Sequence, residues 1–315
     1  MKPHLIVNPA SASGRTGRHF DAIARAVRSA VGDFDCSFTE RRGHGVLLAR
    51  EVSRAGVNLV VAVGGDGTAS EVVDGLMLER AARGVRDDES AFGFISRGTG
   101  GDLRRSIGSP ADAVGAALVL ANPAERVIDL GRVEFVGHEG KPEARHFVNV
   151  AGFGIAGRVV RDAERMGKAL GGKATFMLAS AKALMGWHDQ PVRWRIDGGP
   201  WNEDRITSIS VCNGRFFGGG MMVAPAARMD DGLFDITLWK GLGFTDFVLK
   251  KGMLYDGSHL RLPNTTTFRG RVVEAEPLGR DPVLLDVDGE QPGMLPARFT
   301  ILGGALRARA PGGDA

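Results

Sequence analysis

Cysteine is nearly absent: Cys36 and Cys212 are the only two in 315 residues. Two distant thiols build neither a disulfide framework nor a zinc motif. Both fall in apolar, strand-like segments, so both are expected to be small buried hydrophobes in a reducing cytoplasm. Long apolar runs are missing as well. The N-terminal run stops at Val7, short of a signal peptide. No stretch approaches the ~20 apolar residues of a membrane-spanning helix. The expected location is cytoplasmic, with any work at a membrane done by peripheral contact. An excess of one charge is also missing, since 40 Lys and Arg oppose 37 Asp and Glu for a net charge of +3. No dense basic run of the kind that binds nucleic acid occurs, so nucleic acid is not an expected partner. There is no internal repeat and no G-X-Y period, which excludes collagen.

What is present is a folded composition, 43% hydrophobic and 24% charged. Glycine stands out at 46 residues, about twice the usual share. Of the 40 basic residues 32 are Arg. That excess is either a compositional bias or an affinity for phosphates and anionic headgroups. The length predicts two domains.

The first part alternates strand and helix signals. Strands are expected at 5–7, 34–38, 59–63 and 92–95, and helices at 14–31, 46–55 and 71–78. Ser109-Pro110 supplies an N-cap and a first-turn proline for a helix to about Leu120. This order predicts an α/β domain over 1–130 with a parallel sheet, whose ligands bind at the carboxyl ends of the strands. After Asp129 the rhythm changes to period two. Strands are expected at 147–150, 192–197, 206–212, 234–238, 268–275, 283–287 and 299–302, and helices at 159–166, 174–185 and 244–254. The second domain, 131–307, is thus expected to be β-rich, a packed pair of sheets or a partly closed barrel. Its last strands are open to packing back on the first domain, and 308–315 reads as a flexible tail.

Three glycine-bearing loops follow predicted strands of the first domain. The strongest is Gly64-Gly65-Asp66-Gly67-Thr68, after the buried run 59–63. Glycines let backbone N–H groups approach a polyphosphate, and the helix that follows points its positive end at the anion. Asp66 inside such a nest makes sense if Mg²⁺ or a substrate hydroxyl intervenes; the alternative is a tight turn with Asp66 capping the helix. The others are Ser96-Arg97-Gly98-Thr99-Gly100-Gly101-Asp102 and Asn8-Pro9-Ala10-Ser11-Ala12-Ser13-Gly14. Together they point to a nucleotide or polyphosphate site.

On these residues the chain resembles the diacylglycerol kinase catalytic-domain family, which includes bacterial lipid kinases and the sphingosine and ceramide kinases. The matching pieces run in the family's order: Asn8-Pro9, Ser13-Gly14, Thr39, Gly64 to Thr68 with Glu71, Gly98-Thr99 with Asp102, Ile128-Asp129-Leu130-Gly131 and Asn149 with Gly152-Phe153-Gly154. They continue through Asn213-Gly214, Gly218-Gly219-Gly220, Ala224-Pro225, Asp231-Gly232-Leu233 and Asp288-Gly289-Glu290. The resemblance implies an active site in a cleft between a nucleotide-binding domain and a β-sandwich-like one. It implies ATP as co-substrate, Mg²⁺ as cofactor and a membrane lipid as acceptor. ATP contacts would fall to Asn8, Thr39, Gly64, Gly65, Asp66, Gly67, Thr68, Ala69, Ser70 and Thr99. A magnesium site would use Asp231 with the backbone carbonyls of Arg228 and Leu233. Glu290 or Asp66 would serve as general base, with Asp102 and Asp129 in a supporting acidic network. Gly101 and Ser70 stand where the family commonly has Asn, and Arg15 where Lys is frequent.

Alternatives remain open on the residues themselves. Asp288-Gly289 also reads as a hairpin turn with Glu290 merely solvated. Gly152 to Gly157 spells G-x-G-x-x-G but lacks the second strand and acidic residue of a dinucleotide site. Met166, Met177, Met185, Trp187, Phe244, Phe247 and Met253 read as core, or in part as an acyl-chain or bilayer contact. Two rivals stand beside a lipid kinase: a kinase of the same superfold acting on a soluble substrate such as NAD, and a nucleotide-binding regulatory protein that has lost catalysis. A homodimer is left open.

Overall fold

The structure, a computed structural model, describes residues 2–84, 90–166 and 172–311. The chain divides into two compact units, residues 1–129 with 304–315 and residues 130–303.

The first unit contains β1 (His4–Val7), α1 (Arg15–Arg18), α2 (Phe20–Val31), β2 (Asp35–Phe38), α3 (His44–Arg54), β3 (Leu59–Gly64), α4 (Asp66–Arg83), β4 (Ala91–Ser96), α5 (Asp102–Ser106), α6 (Ala113–Ala121) and the start of β5 (Arg126–Gly137). Its strands are parallel in the order β2-β1-β3-β4. Every residue of β3 is buried, which explains its unbroken apolar sequence. Leu5, Val7, Val61 and Val63 pack with Ile23 and Val27 of α2 and Ala116, Ala117 and Leu120 of α6. Helices α3 and α4 pack on each other and contact the sheet.

The second unit begins within β5 and continues through β6 (Pro142–Phe147), β7 (Val150–Gly154), α7 (Ile155–Met166), α8 (Gly172–Leu184), β8 (Gln190–Ile196), β9 (Asn202–Ile206), β10 (Ser208–Cys212), β11 (Phe216–Phe217), β12 (Met221–Met222), β13 (Phe234–Trp239), α9 (Phe244–Asp256), β14 (Thr265–Gly270), β15 (Val272–Pro277), β16 (Leu285–Val287) and β17 (Gly293–Ala308). A five-stranded antiparallel sheet, β14-β13-β10-β7-β16, packs against a second sheet in which β17, β15, β8 and β9 are successive neighbours. Phe153, Ile209, Phe234 and Leu285 of the first meet Phe147, Trp194, Val273 and Phe299 of the second. The rings of Phe147 and Phe234 stack at 5.7 Å, and those of Phe153 and Phe299 at 6.0 Å. Of the two sequence alternatives, the packed pair of sheets is the one observed.

Several expectations are corrected. The helix expected over 14–31 breaks at His19, which leaves helical geometry at φ −110°. The helix expected from Ser109 starts at Ala113, where the Asp112 side chain accepts from the Gly115 N–H and forms the cap. Cys36 is exposed because β2 is an edge strand; only Cys212 is buried. The strand expected at 147–150 is a junction where β6 ends and β7 begins. The tail does not start at 308: Ala308 pairs with Phe92 of β4, Arg309 donates its N–H to the Phe92 carbonyl, and Ala310 is buried. Residues 312–315 lie outside the described residues. By contrast, the G-x-G-x-x-G stretch behaves as its sequence context indicates: β7 is flanked by antiparallel strands on both sides, which is not the parallel βαβ setting of a dinucleotide loop.

Candidate active site

In the first unit the three loops are joined by direct contacts. Asn8 extends β1 by donating its N–H to the Val63 carbonyl at 2.9 Å. Its Nδ2 donates to Thr68 Oγ1 at 3.0 Å and its Oδ1 accepts from the Ala10 N–H at 3.0 Å. The first loop is thereby tied to the opening turn of α4. Ala12 and Ser13 have φ of +51° and +56°, left-handed values that are strained for residues with a side chain. Such strain persists only where surrounding structure imposes it, and it clusters at ligand clamps. The same loop is braced by Ser11 Oγ, which donates to the Asn8 carbonyl at 2.9 Å and bonds Thr16 Oγ1 at 2.6 Å.

Helix α4 is 18 residues long and Gly65 stands at its N-cap, with no side chain capping the first turn. The sequence left Asp66 either capping α4 or facing a ligand. In the structure it does not cap α4; its half-buried carboxylate accepts the N–H groups of Asp102 at 3.2 Å and Leu103 at 3.1 Å. Asp66 therefore caps α5 and binds the third loop to the second. Gly98 completes the junction, since a Cβ there would lie 2.7 Å from Gly65 Cα. Gly101, the N-cap of α5, has φ +64° and ψ +35°. Asn is the other residue that visits this left-handed region readily.

The remaining expected positions differ in what they present. Thr99 is exposed, and Gly65, Asp66, Gly67 and Ser70 are half-buried. Thr68 is nearly buried. Ala69 is completely buried and packs in the core, so it has no face toward a ligand. Thr39 sits just beyond β2 and donates its N–H to the Val7 carbonyl at 2.8 Å. Asp102 pairs with Arg105 at 3.2 Å. Asp129 is buried and accepts from the Gly304 N–H at 2.7 Å, holding the returning chain in the unit. Glu71 accepts the N–H groups of Gly43 at 2.8 Å and Gly45 at 2.9 Å, and so caps α3.

In the second unit, three carboxylates at alternate positions have three different environments. Asp288 and Gly289 have φ of +49° and +82°, the pattern of a type I′ hairpin turn. Val287 and Glu290 close it with two backbone bonds of 2.8 and 3.0 Å. The hairpin alternative is thus right about the backbone, but Glu290 is not merely solvated. Its Oε2 accepts from Arg145 Nη1 of β6 at 3.0 Å, with the Glu290 side chain only 18% exposed. The Asp288 carboxylate accepts three backbone N–H groups, from Val148 at 2.9 Å, Asn149 at 3.0 Å and Val150 at 3.1 Å. These bonds turn the chain between β6 and β7. Asp286 is enclosed and accepts from the Gly289 N–H at 2.9 Å. Burial pushes its carboxyl up to about 8, and the charges of Asp288, Glu164 and Glu290 push in the same direction. Sequence reasoning missed Asp286 and Arg145. The period-two spacing of 286, 288 and 290 was the available signal for the first; nothing local pointed to the second.

The loop expected to hold magnesium is engaged. Asp231 Oδ1 accepts from the Leu233 N–H at 3.1 Å, and its Oδ2 is paired with Arg269, which also reaches Asp235 at 3.5 Å. Arg228 pairs with Asp230 at 3.2 Å. The oxygen donors suit a hard cation, but a cation on Asp231 would share that carboxylate with the Arg269 guanidinium. No group of three or more His, Cys, Asp or Glu that could hold a metal occurs among the described residues. On the helices, Met166 packs against the Val159, Ala179 and Ala183 cluster, whereas Met185, Leu249 and Phe244 are exposed. The side chain of Phe247 lies outside the described residues. No helix among the described residues is long and apolar enough to cross a membrane.

A parallel α/β unit with glycine-rich strand-to-helix loops, followed by a β-sandwich unit that carries an acidic hairpin, is the architecture of a two-domain kinase family. Residues 2–133 match the diacylglycerol kinase catalytic domain, and residues 149–309 match the YegS C-terminal NAD kinase beta sandwich-like domain. A diacylglycerol kinase of Bacillus subtilis (strain 168) is 26% identical over 303 residues, covering 96% of this chain and 93% of its own. A "Probable lipid kinase YegS-like" protein of Stenotrophomonas maltophilia (strain K279a) is 31% identical over 313 residues, covering 98% and 96%. A crystal structure of a diacylglycerol kinase from Bacillus anthracis str. Sterne shares the fold, with a TM-score of 0.71 at 22% identity over 98% of this chain and 96% of that one. The chain belongs to the diacylglycerol kinase catalytic-domain family of lipid kinases, whose reaction places a phosphoryl group on an alcohol acceptor.

Proposed function

We propose that this protein is an ATP- and Mg²⁺-dependent lipid kinase that transfers the γ-phosphate to a primary hydroxyl of diacylglycerol or a related lipid. The observation that carries the ATP assignment is the mutual locking of the three loops. Asn8 holds Thr68, Gly98 abuts Gly65, and Asp66 holds the N–H groups of Asp102 and Leu103. The result is a pre-formed nest at the N-terminus of α4, where backbone N–H groups and the helix dipole favour a polyphosphate. Thr99 and Ser70 add hydroxyl donors at its rim.

Phosphoryl transfer needs positioning and charge neutralisation more than covalent help. Mg²⁺, which commonly uses one or two carboxylates together with phosphate oxygens, would neutralise the polyphosphate when bound, and Asp66 is the carboxylate in the nest. Glu290 accepts the proton of the lipid hydroxyl as that oxygen bonds to the γ-phosphorus; the bond to the bridging oxygen breaks and ADP leaves. Asp288 does not compete for this role, because its carboxylate is committed to three backbone N–H groups. A cytoplasmic location with transient docking on membranes is consistent with exposed Leu178 of α8, Met185 just beyond its end and Leu249 of the neighbouring α9, which suit shallow insertion among headgroups.

The test is incubation with γ-labelled ATP, Mg²⁺, mixed-micelle lipids and NAD. Label in a lipid supports the reading, and label in NAD alone overturns it. ATP binding without turnover on any acceptor would make the chain a regulatory protein.

A further inference from the structure

Arg145 carries no role in the proposed reaction, yet its guanidinium is bonded to the side chain proposed as the base. The two residues are 145 positions apart, joined by Nη1 to Oε2 at 3.0 Å. The hairpin does not need this contact for its own shape. Its backbone is already fixed by the Val287–Glu290 bonds, by the three N–H groups on Asp288 and by the Gly289 N–H on Asp286. What the hairpin leaves undetermined is the Glu290 side chain, with three rotatable torsions beyond the fixed backbone. A partly exposed ion pair contributes little stability, and here the arginine is 39% and the glutamate 18% exposed. The same pair can contribute much to orientation, because catalysis by a carboxylate depends on sub-ångström placement of one oxygen.

The anchoring of Arg145 fits such a role. It projects from β6, which is paired to β5 from Gly131–Phe147 to Val136–Pro142, with Arg145 itself opposite Val133. Val133 is completely buried in the sandwich core. The guanidinium is thus delivered from a rigid ladder rather than from a loop. With one Glu290 oxygen held on that guanidinium at 3.0 Å, the orientation of the carboxylate is restricted.

We propose that Arg145 is a positioning residue for Glu290, orienting its carboxylate toward the acceptor hydroxyl. This inference rests on the assignment of Glu290 as base. The experiment compares wild type, Arg145→Met, Arg145→Lys and Glu290→Gln in the mixed-micelle assay, with thermal unfolding of each. Arg145→Met is expected to lose about 30-fold in kcat with KM for ATP within about twofold of wild type, as for misplacement of a catalytic group. Arg145→Lys, which restores a charge without the planar fork, is expected to recover most of that loss. Melting temperatures should stay within a few degrees, as for a partly exposed pair. If Glu290→Gln is inactive while Arg145→Met keeps wild-type kcat, or if the Lys variant is no better than the Met variant, the inference is overturned and the base assignment stands. Full activity in Glu290→Gln would overturn the base assignment and the inference with it.

Discussion

Replacing Asp286 by asparagine should shift stability in the variant's favour, relative to wild type, as pH rises from mildly acid to mildly alkaline. The folded carboxyl titrates near 8, against 3.8 for an ordinary aspartate. Between those values the folded state keeps a proton that the unfolded chain releases. Stability from this group is full below about pH 4, falls by ~1.4 kcal/mol per pH unit up to about 8, and is level above that. The whole window is worth on the order of 5 kcal/mol. Asparagine keeps an oxygen for the Gly289 N–H and cannot ionise, so its stability lacks this slope. Urea unfolding of both proteins at pH 5.0 and pH 7.5 isolates the effect, because other titrating groups cancel in the difference. The variant should gain about 3 kcal/mol on wild type across that interval. A difference constant to within about 0.5 kcal/mol would refute the claim that burial holds Asp286 neutral.

Other predictions follow from the same geometry. Asp288→Ala strands three backbone N–H groups and should cost about 3 kcal/mol or more, whereas Asp288→Asn, which keeps one oxygen, should cost about 1–2 kcal/mol; urea unfolding measures both. Gly98→Ala forces a Cβ against Gly65 Cα and should raise the Kd for ATP at least tenfold by calorimetry, with about 1–3 kcal/mol lost in stability. Arg269→Met releases Asp231 from its guanidinium, so Mg²⁺ should raise the melting temperature of the variant more than that of wild type; equal shifts would contradict the view that Arg269 competes for that carboxylate.

The parallel sheet and its three loops were legible because their signals are local. A buried strand announces itself by an unbroken apolar run, as at 59–63, and the tight turn into the next helix by the glycines that follow it. What was not legible depends on partners distant in sequence. The break between β6 and β7 is imposed by Asp288, some 140 residues later, and no local pattern at 147–150 shows it. Asp66 reads as a helix cap or a ligand residue, and only the fold shows that it caps the third loop's helix. The cap at Asp112 displaced the one read at Ser109 because its side chain reaches the Gly115 N–H. Cys36 lies in an apolar-looking segment, but an edge strand turns it to solvent. Glu290 was legible as a motif residue, whereas its partner Arg145 carries no motif of its own.

The central claim, phosphoryl transfer from ATP to a lipid hydroxyl with Glu290 as base, is tested most directly by following label from γ-labelled ATP into the organic phase in the presence of diacylglycerol micelles and Mg²⁺. Wild type should transfer label, and Glu290→Gln should fall by about 10²–10⁴-fold, the range for loss of a general base, while still binding ATP. Absence of label from every lipid offered, or transfer by Glu290→Gln at the wild-type rate, would contradict it.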